Sequence, residues 1–209
     1  MNDLFELTTW ALRDTLPPVE PEGAYLFAQT ADNELSVFQA AKEIADRKLT
    51  AKLLIPDSPG RNGYPGYPLW KVGLERQGVP SQLIIGIPTT EAEYEILNTR
   101  TEAEAAVKYS KANGWKRMLI AAAPFHQVRA FMTAVSVALE SYPELLLYAY
   151  SGPALPWNEE VAHSQGVVRG KRHELLQGEL DRLELYRRKG DLASVQTVLH
   201  YLRNRDARS

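Results

Sequence analysis

NTRTEAEAAVKYSKANGWKRMLIAAAPFHQVRA, residues 98–130, decides how the rest of the chain is read. Thr99 stands where a helix cap belongs, and a helical pattern from about Arg100 to Asn113 stops at Gly114. Residues 117–122 (RMLIAA) follow directly, and an apolar run without alternation requires burial on both faces, as in a parallel sheet. The next helix is predicted over residues 127–141. Helix, doubly buried strand and helix in that order make one crossover unit of an α/β sheet.

The same rhythm extends in both directions. Upstream, the runs 24–28 (AYLFA), 51–55 (AKLLI) and 83–87 (LIIGI) are strands, separated by helical patterns from Asp32 or Asn33 to about Leu49 and from Leu69 to Gly78. Downstream, residues 145–150 (LLLYAY) form a strand, and residues 174–186 and 192–203 are helices broken at Gly190-Asp191. Leu4, Leu7, Trp10 and Ala11 mark a short N-terminal helix within residues 1–16. The expected fold is α/β, a doubly wound, mostly parallel, Rossmann-like sheet of about five strands with helices on both faces, plus C-terminal helices, in one domain over residues 1–209.

Composition narrows the partners. The chain is 44% hydrophobic and 24% charged with a formal charge of -2, so it packs a core and offers no basic field for a nucleic-acid backbone. It has no cysteine, which removes disulfides, thiolate metal sites and thiol nucleophiles. Acidic residues Asp3, Glu6 and Asp14 interrupt the first apolar positions, unlike a secretory signal, and no apolar stretch approaches the roughly 18 residues of a membrane helix. A cytoplasmic protein without membrane partners is expected, with its oligomeric state open.

In a doubly wound sheet, ligands bind beyond the carboxyl ends of the strands. The residues that fall there are Gln29 and Asp32 after the first strand, Asp57 and Ser58 at the start of the Pro- and Gly-rich segment 56–68, and Glu95, Asn98, Thr99 and Glu102 around the helix start. Pro124, His126 and Arg129 follow the fourth strand. His126 can donate or accept a proton, and Arg129 can fork to a carboxylate or phosphate near a helix start, so these two are the catalytic candidates. Each also has a structural explanation: Asn98 and Thr99 as caps, Glu102 as the partner of a capping box with Thr99, and Arg129 in an ion pair with Glu95 or Glu102. Tyr64, Tyr67 and Trp70 either stack on a ligand or cover the core. His163, His173 and His200 lack a helical partner or carboxylate at metal-ligand spacing, so no metal site is expected.

Glu95, Asn98, Thr99 and Glu102, the buried strand after them, and the His126-x-x-Arg129 turn resemble the YdcF, SanA and ElyC family of bacterial proteins. Segment 178–202 (GELDRLELYRRKGDLASVQTVLHYL) is similar to the C-terminal helices of its cytoplasmic members. Where that family usually has a glycine-rich turn after the first strand, this chain has Gln29-Thr30-Ala31-Asp32. The resemblance implies a Rossmann-like domain with S-adenosylmethionine as a possible cofactor. Three functions follow as expectations: a binding protein for S-adenosylmethionine or another adenine nucleotide, with transferase activity open; an enzyme acting on a phosphorylated or nucleotide-linked sugar through His126; and a noncatalytic module that binds a partner through its C-terminal helices.

Overall fold

The apolar runs become strands because each supplies two hydrophobic faces at once. The structure, a computed structural model, describes residues 3–61, 63–89, 97–163 and 168–208. β1 (Gly23–Leu26), β2 (Leu53–Asp57), β3 (Ile84–Pro88), β4 (Arg117–Ala121) and β5 (Leu146–Ala149) form one sheet in the order β3-β2-β1-β4-β5. Every pairing in that sheet is parallel. Tyr25, Leu54, Met118, Ile120 and Leu147 pack on one side of it, and Ala24, Leu26, Leu53, Ile55, Leu119 and Ala121 on the other, all fully buried.

Two buried faces need helices on both. α1 (Asp3–Leu12), α4 (Thr99–Ala112), α5 (Pro124–Ser141) and α7 (Val195–Asp206) contribute to the first core layer, while α2 (Glu34–Asp46) and α3 (Tyr67–Arg76) contribute to the second. α6 (Leu176–Lys189) packs against α5. The doubly wound α/β fold with C-terminal helices is therefore the observed one. Among the described residues no helix is long and apolar enough to cross a membrane.

The winding positions the site. From β1 the chain steps outward through β2 to β3, then crosses back to the far side of β1 for β4 and β5. The loops after β1 and β4 consequently leave the sheet in opposite directions, which opens a crevice at their carboxyl ends.

Three local readings are corrected by the structure. α5 begins at Pro124 and not near Gln127: a proline needs no amide partner at the first helical position, so Pro124 starts the helix. The cap of α4 is Asn98, whose side chain accepts from the amides of Arg100 and Thr101, with the Thr101 hydroxyl completing the capping box; Thr99 and Glu102 are released from both jobs. A hairpin, β6 (Glu160–His163) with antiparallel β7 (Val168–Lys171), occupies a stretch in which no strand was expected. Its burial pattern is mostly exposed on β7, so it lacks the apolar run that marks the sheet strands.

β5 is an edge strand, and its outward groups are closed by side chains in place of a sixth strand. The Tyr201 hydroxyl accepts from the Leu147 amide at 2.7 Å and donates to the Leu145 carbonyl at 3.0 Å. Arg205 donates to the Leu147 carbonyl at 2.8 Å, and Asp14 accepts from the Ala149 amide at 2.8 Å. Arg205 and Asp14 also pair with each other, with side chains 0% and 2% exposed, and tie the start of the chain to α7 across this edge.

Just past β5, Gly152 passes so close to α2 that a Cβ built on it lies 2.4 Å from the Ser36 carbonyl oxygen. Gly152→Ala must push two backbones apart, and a loss of about 2 kcal/mol is expected. Urea unfolding checks it: the midpoint should fall with the slope unchanged.

Candidate functional site

The crevice between β1 and β4 holds a cavity of about 630 Å³. Its walls come from the loop after β1 (Ala28, Gln29, Thr30), the Pro-Gly segment (Arg61, Tyr64), the start of α4 (Asn98, Thr99, Arg100, Glu102) and the first turns of α5 (His126, Arg129, Thr133). His163 from β6, Arg182 and Tyr186 from α6, and Asp191 and Leu192 beyond it close the remaining side.

His126 is buried and both its ring nitrogens are engaged. Nδ1 lies 2.9 Å from Nε2 of Gln29, whose amide also donates to the Phe27 carbonyl at 3.3 Å. Burial, reinforced by the Arg129 guanidinium, pushes the imidazole well below the usual histidine value, so the ring is neutral. A neutral ring that accepts at Nδ1 carries its proton on Nε2, which therefore donates to the Thr99 hydroxyl at 3.2 Å. Arg129 donates to the same oxygen at 2.5 Å. With both lone pairs of Thr99 occupied, its own proton is left to donate to a ligand. His126 thus positions Thr99.

Arg129 reaches neither Glu102 nor a residue on its own helix. It forks onto Glu179 of α6, Nε to Oε2 at 2.6 Å and Nη2 to Oε1 at 3.1 Å. Arg182 Nη1 at 2.9 Å and His163 Nε2 at 2.6 Å converge on the same carboxylate. Burial alone raises an acid's pKa, yet the Arg129 charge and the hydrogen bonds from His163 and Arg129 hold the Glu179 carboxyl well below the usual range. Arg129 spends its fork internally, whereas the Nε and Nη2 groups of Arg182 make no hydrogen bond among the described residues.

The hairpin that carries His163 is fixed by the loop after β1. Thr30 Oγ1 and Asn33 Nδ2 donate to the Ala162 carbonyl at 2.8 and 3.1 Å, and Asp32 accepts from the Ala162 amide at 2.7 Å. Buried Arg172 clamps the hairpin base, donating to the Asn33 side chain at 2.9 Å and the Asp32 carbonyl at 3.1 Å.

Glu102 is 3% exposed and lines the cavity from below. Its Oε1 accepts from the Ala28 amide at 2.8 Å and the Tyr25 hydroxyl at 3.3 Å. Burial outweighs these bonds and the Arg129 charge, and the carboxyl is pushed up to about 8. Between about 4.5, its value when exposed, and about 8, the folded chain keeps a proton that the unfolded chain has lost. The stabilisation from this group is complete below that window and disappears as pH rises through it, at about 1.4 kcal/mol per pH unit. Glu102→Gln removes the titration, so the variant should gain about 3 kcal/mol on the parent between pH 5 and pH 8 in urea unfolding. A pH-independent difference between the two proteins contradicts the neutral acid.

No protein-family model, curated protein or solved structure matches the chain. The site is accordingly read from its own residues. Of the residues singled out in the sequence, Gln29, Asn98, Thr99, Glu102, His126 and Arg129 meet at the cavity. Asp32 serves the hairpin, Asp57 ends β2, the Ser58 hydroxyl donates to the Pro59 carbonyl and Pro124 starts α5; none of these four is a cavity wall. Glu95 lies outside the described residues. Trp70 is fully buried core, while Tyr64, its hydroxyl donating to the Pro56 carbonyl at 2.8 Å, shows part of its ring to the cavity.

Sequence reasoning missed His163, Glu179 and Arg182. A signal for two of them was present: Glu179, Arg182 and Tyr186 recur at i, i+3 and i+7, a single stripe of the helix. Among the described residues no three His, Asp or Glu side chains are grouped as a metal-holding set.

Proposed function

We propose that the chain is a YdcF-like small-molecule-binding protein whose ligand is a phosphorylated molecule of nucleotide or sugar type, held in the β1/β4 crevice. The observation that carries this reading is the charge of the walls. Among the described residues, Arg61, Arg100, Arg129 and Arg182 line the cavity against one aspartate, Asp191, while Glu102 is held in its uncharged form by burial. Arg100 is matched outside by Glu104 and Glu140, and Arg129 and Arg182 share Glu179, Arg182 through Nη1 alone, so the Nε and Nη2 groups of Arg182 and the Thr99 hydroxyl are groups ready for an anion. Tyr64, Leu97, Tyr186 and Leu192 add apolar and aromatic surface to the cavity walls, suited to a base or sugar ring.

S-adenosylmethionine, which the family resemblance implies, brings a carboxylate for these arginines but also a sulfonium cation that they repel. A phosphate ester brings negative charge alone, so the geometry favours the phosphorylated branch. Thermal shift with AMP, glucose 1-phosphate, adenosine and S-adenosylmethionine tests this directly. AMP or glucose 1-phosphate is expected to raise Tm, and adenosine to leave it unchanged. Stabilisation by adenosine or S-adenosylmethionine at least equal to that by the phosphate esters overturns the reading.

A further inference from the structure

We propose, on the strength of the phosphate-ester reading above, that the cavity is also a hydrolytic centre in which His163 takes the proton of an attacking water and Glu102 protonates the departing alcohol oxygen. His163 has the geometry of a held base. Glu179 can only accept at Nε2, so that nitrogen carries the ring proton, and in the neutral ring the lone pair is on Nδ1. Nδ1 makes no hydrogen bond among the described residues, and the residue is a cavity wall. The ring stands edge-on to Phe125, with centroids 4.8 Å apart and planes at 88°, and the backbone next to it is gripped through Ala162 by Thr30, Asp32 and Asn33. A carboxylate behind an imidazole and an open nitrogen in front of it is how proteins orient a general base.

Glu102 supplies the complementary half. Its Oε1 is occupied by two donors, so a proton on this carboxyl resides on Oε2, which has no partner among the described residues. A buried carboxyl with one oxygen held and the other open at a cavity wall is placed to donate. Arg182, with Thr99 beside Arg129, stands ready for the charge that accumulates on the phosphoryl oxygens.

The step balances without a redox partner. His163 Nδ1 accepts a proton from water as the water oxygen bonds to phosphorus. The bond from phosphorus to the ester oxygen breaks, and that oxygen takes the Glu102 proton. Phosphate and an alcohol leave, and the proton on His163 returns to Glu102 through solvent.

Release of inorganic phosphate from AMP and glucose 1-phosphate is the test, with binding of the same two compounds followed by thermal shift. The parent protein is expected to hydrolyse at least one of them. His163→Gln and Glu102→Gln should each lower kcat by about 100-fold or more while still binding the ester, which also shows that the variants are folded. Should one variant fail to fold, the other carries the test. Binding of an ester without phosphate release overturns the catalytic proposal and leaves the binding site standing, as does a release rate unaffected by the folded variants. Neither binding nor release overturns both.

Discussion

Arg182→Ala is expected to weaken binding of a phosphate ester by about 30-fold, the equivalent of about 2 kcal/mol for a lost charge-assisted hydrogen bond. The expectation rests on a division of labour among the arginines. Arg129 is committed to Glu179 and Thr99, and Arg100 to Glu104 and Glu140, so their removal disturbs the walls as well as the ligand. Arg182 gives only Nη1 to Glu179 and is the least entangled guanidinium of the three. Glu179 keeps Arg129 and His163 when Arg182 is lost, which protects the fold. Isothermal titration of the variant with AMP reads the effect, and Arg182→Lys should fall between the two because an ammonium keeps the charge without the fork. Unchanged affinity in the alanine variant removes Arg182 from the site.

The second large effect lies far from the cavity. Asp14→Ala is expected to destabilise the protein by about 4 kcal/mol, because it leaves the Arg205 charge buried without its main partner. Arg205 makes two of its bonds to Asp14, at 2.6 and 2.7 Å, and stacks over the Tyr148 ring at 4.2 Å. The Ala149 amide on the sheet edge loses its acceptor in the same step. In a chain of this length the midpoint of thermal unfolding should drop by about 10 °C. Nucleotide binding well below that temperature should be unaffected, since none of Asp14, Arg205 and Ala149 is a cavity wall.

What the sequence made legible was whatever depends on neighbours in the chain. β2, β3 and β4 could be read because LLI, LII and MLI admit only a doubly buried setting, and Gly78, Gly114 and Gly190 stopped helices where a left-handed residue follows. The winding pointed to the loops beyond the strand ends, and six of the residues chosen there line one cavity.

The roles of those residues were less legible because their partners are remote. Glu102 has the spacing of a capping-box acid, yet its bonds go to Tyr25 and Ala28, more than 70 positions away. Arg129 pairs with Glu179 across 50 positions, and His163, set aside for want of a helical partner, finds its carboxylate 16 residues on, in another element. Asp32 was read as a ligand contact from its place after β1, but it holds the hairpin that sequence patterning did not reveal. Local spacing encodes elements, whereas charge pairing across elements is set by tertiary packing.

The claim on which the account rests is that a phosphorylated ligand enters the crevice beyond β1 and β4 and is met there by Arg182 and Thr99. A crystal structure of the protein soaked with AMP tests it most directly. The account places phosphate oxygens within hydrogen-bonding distance of the Arg182 guanidinium and the Thr99 hydroxyl; a phosphate bound on the outer surface, with this cavity holding only solvent, contradicts it.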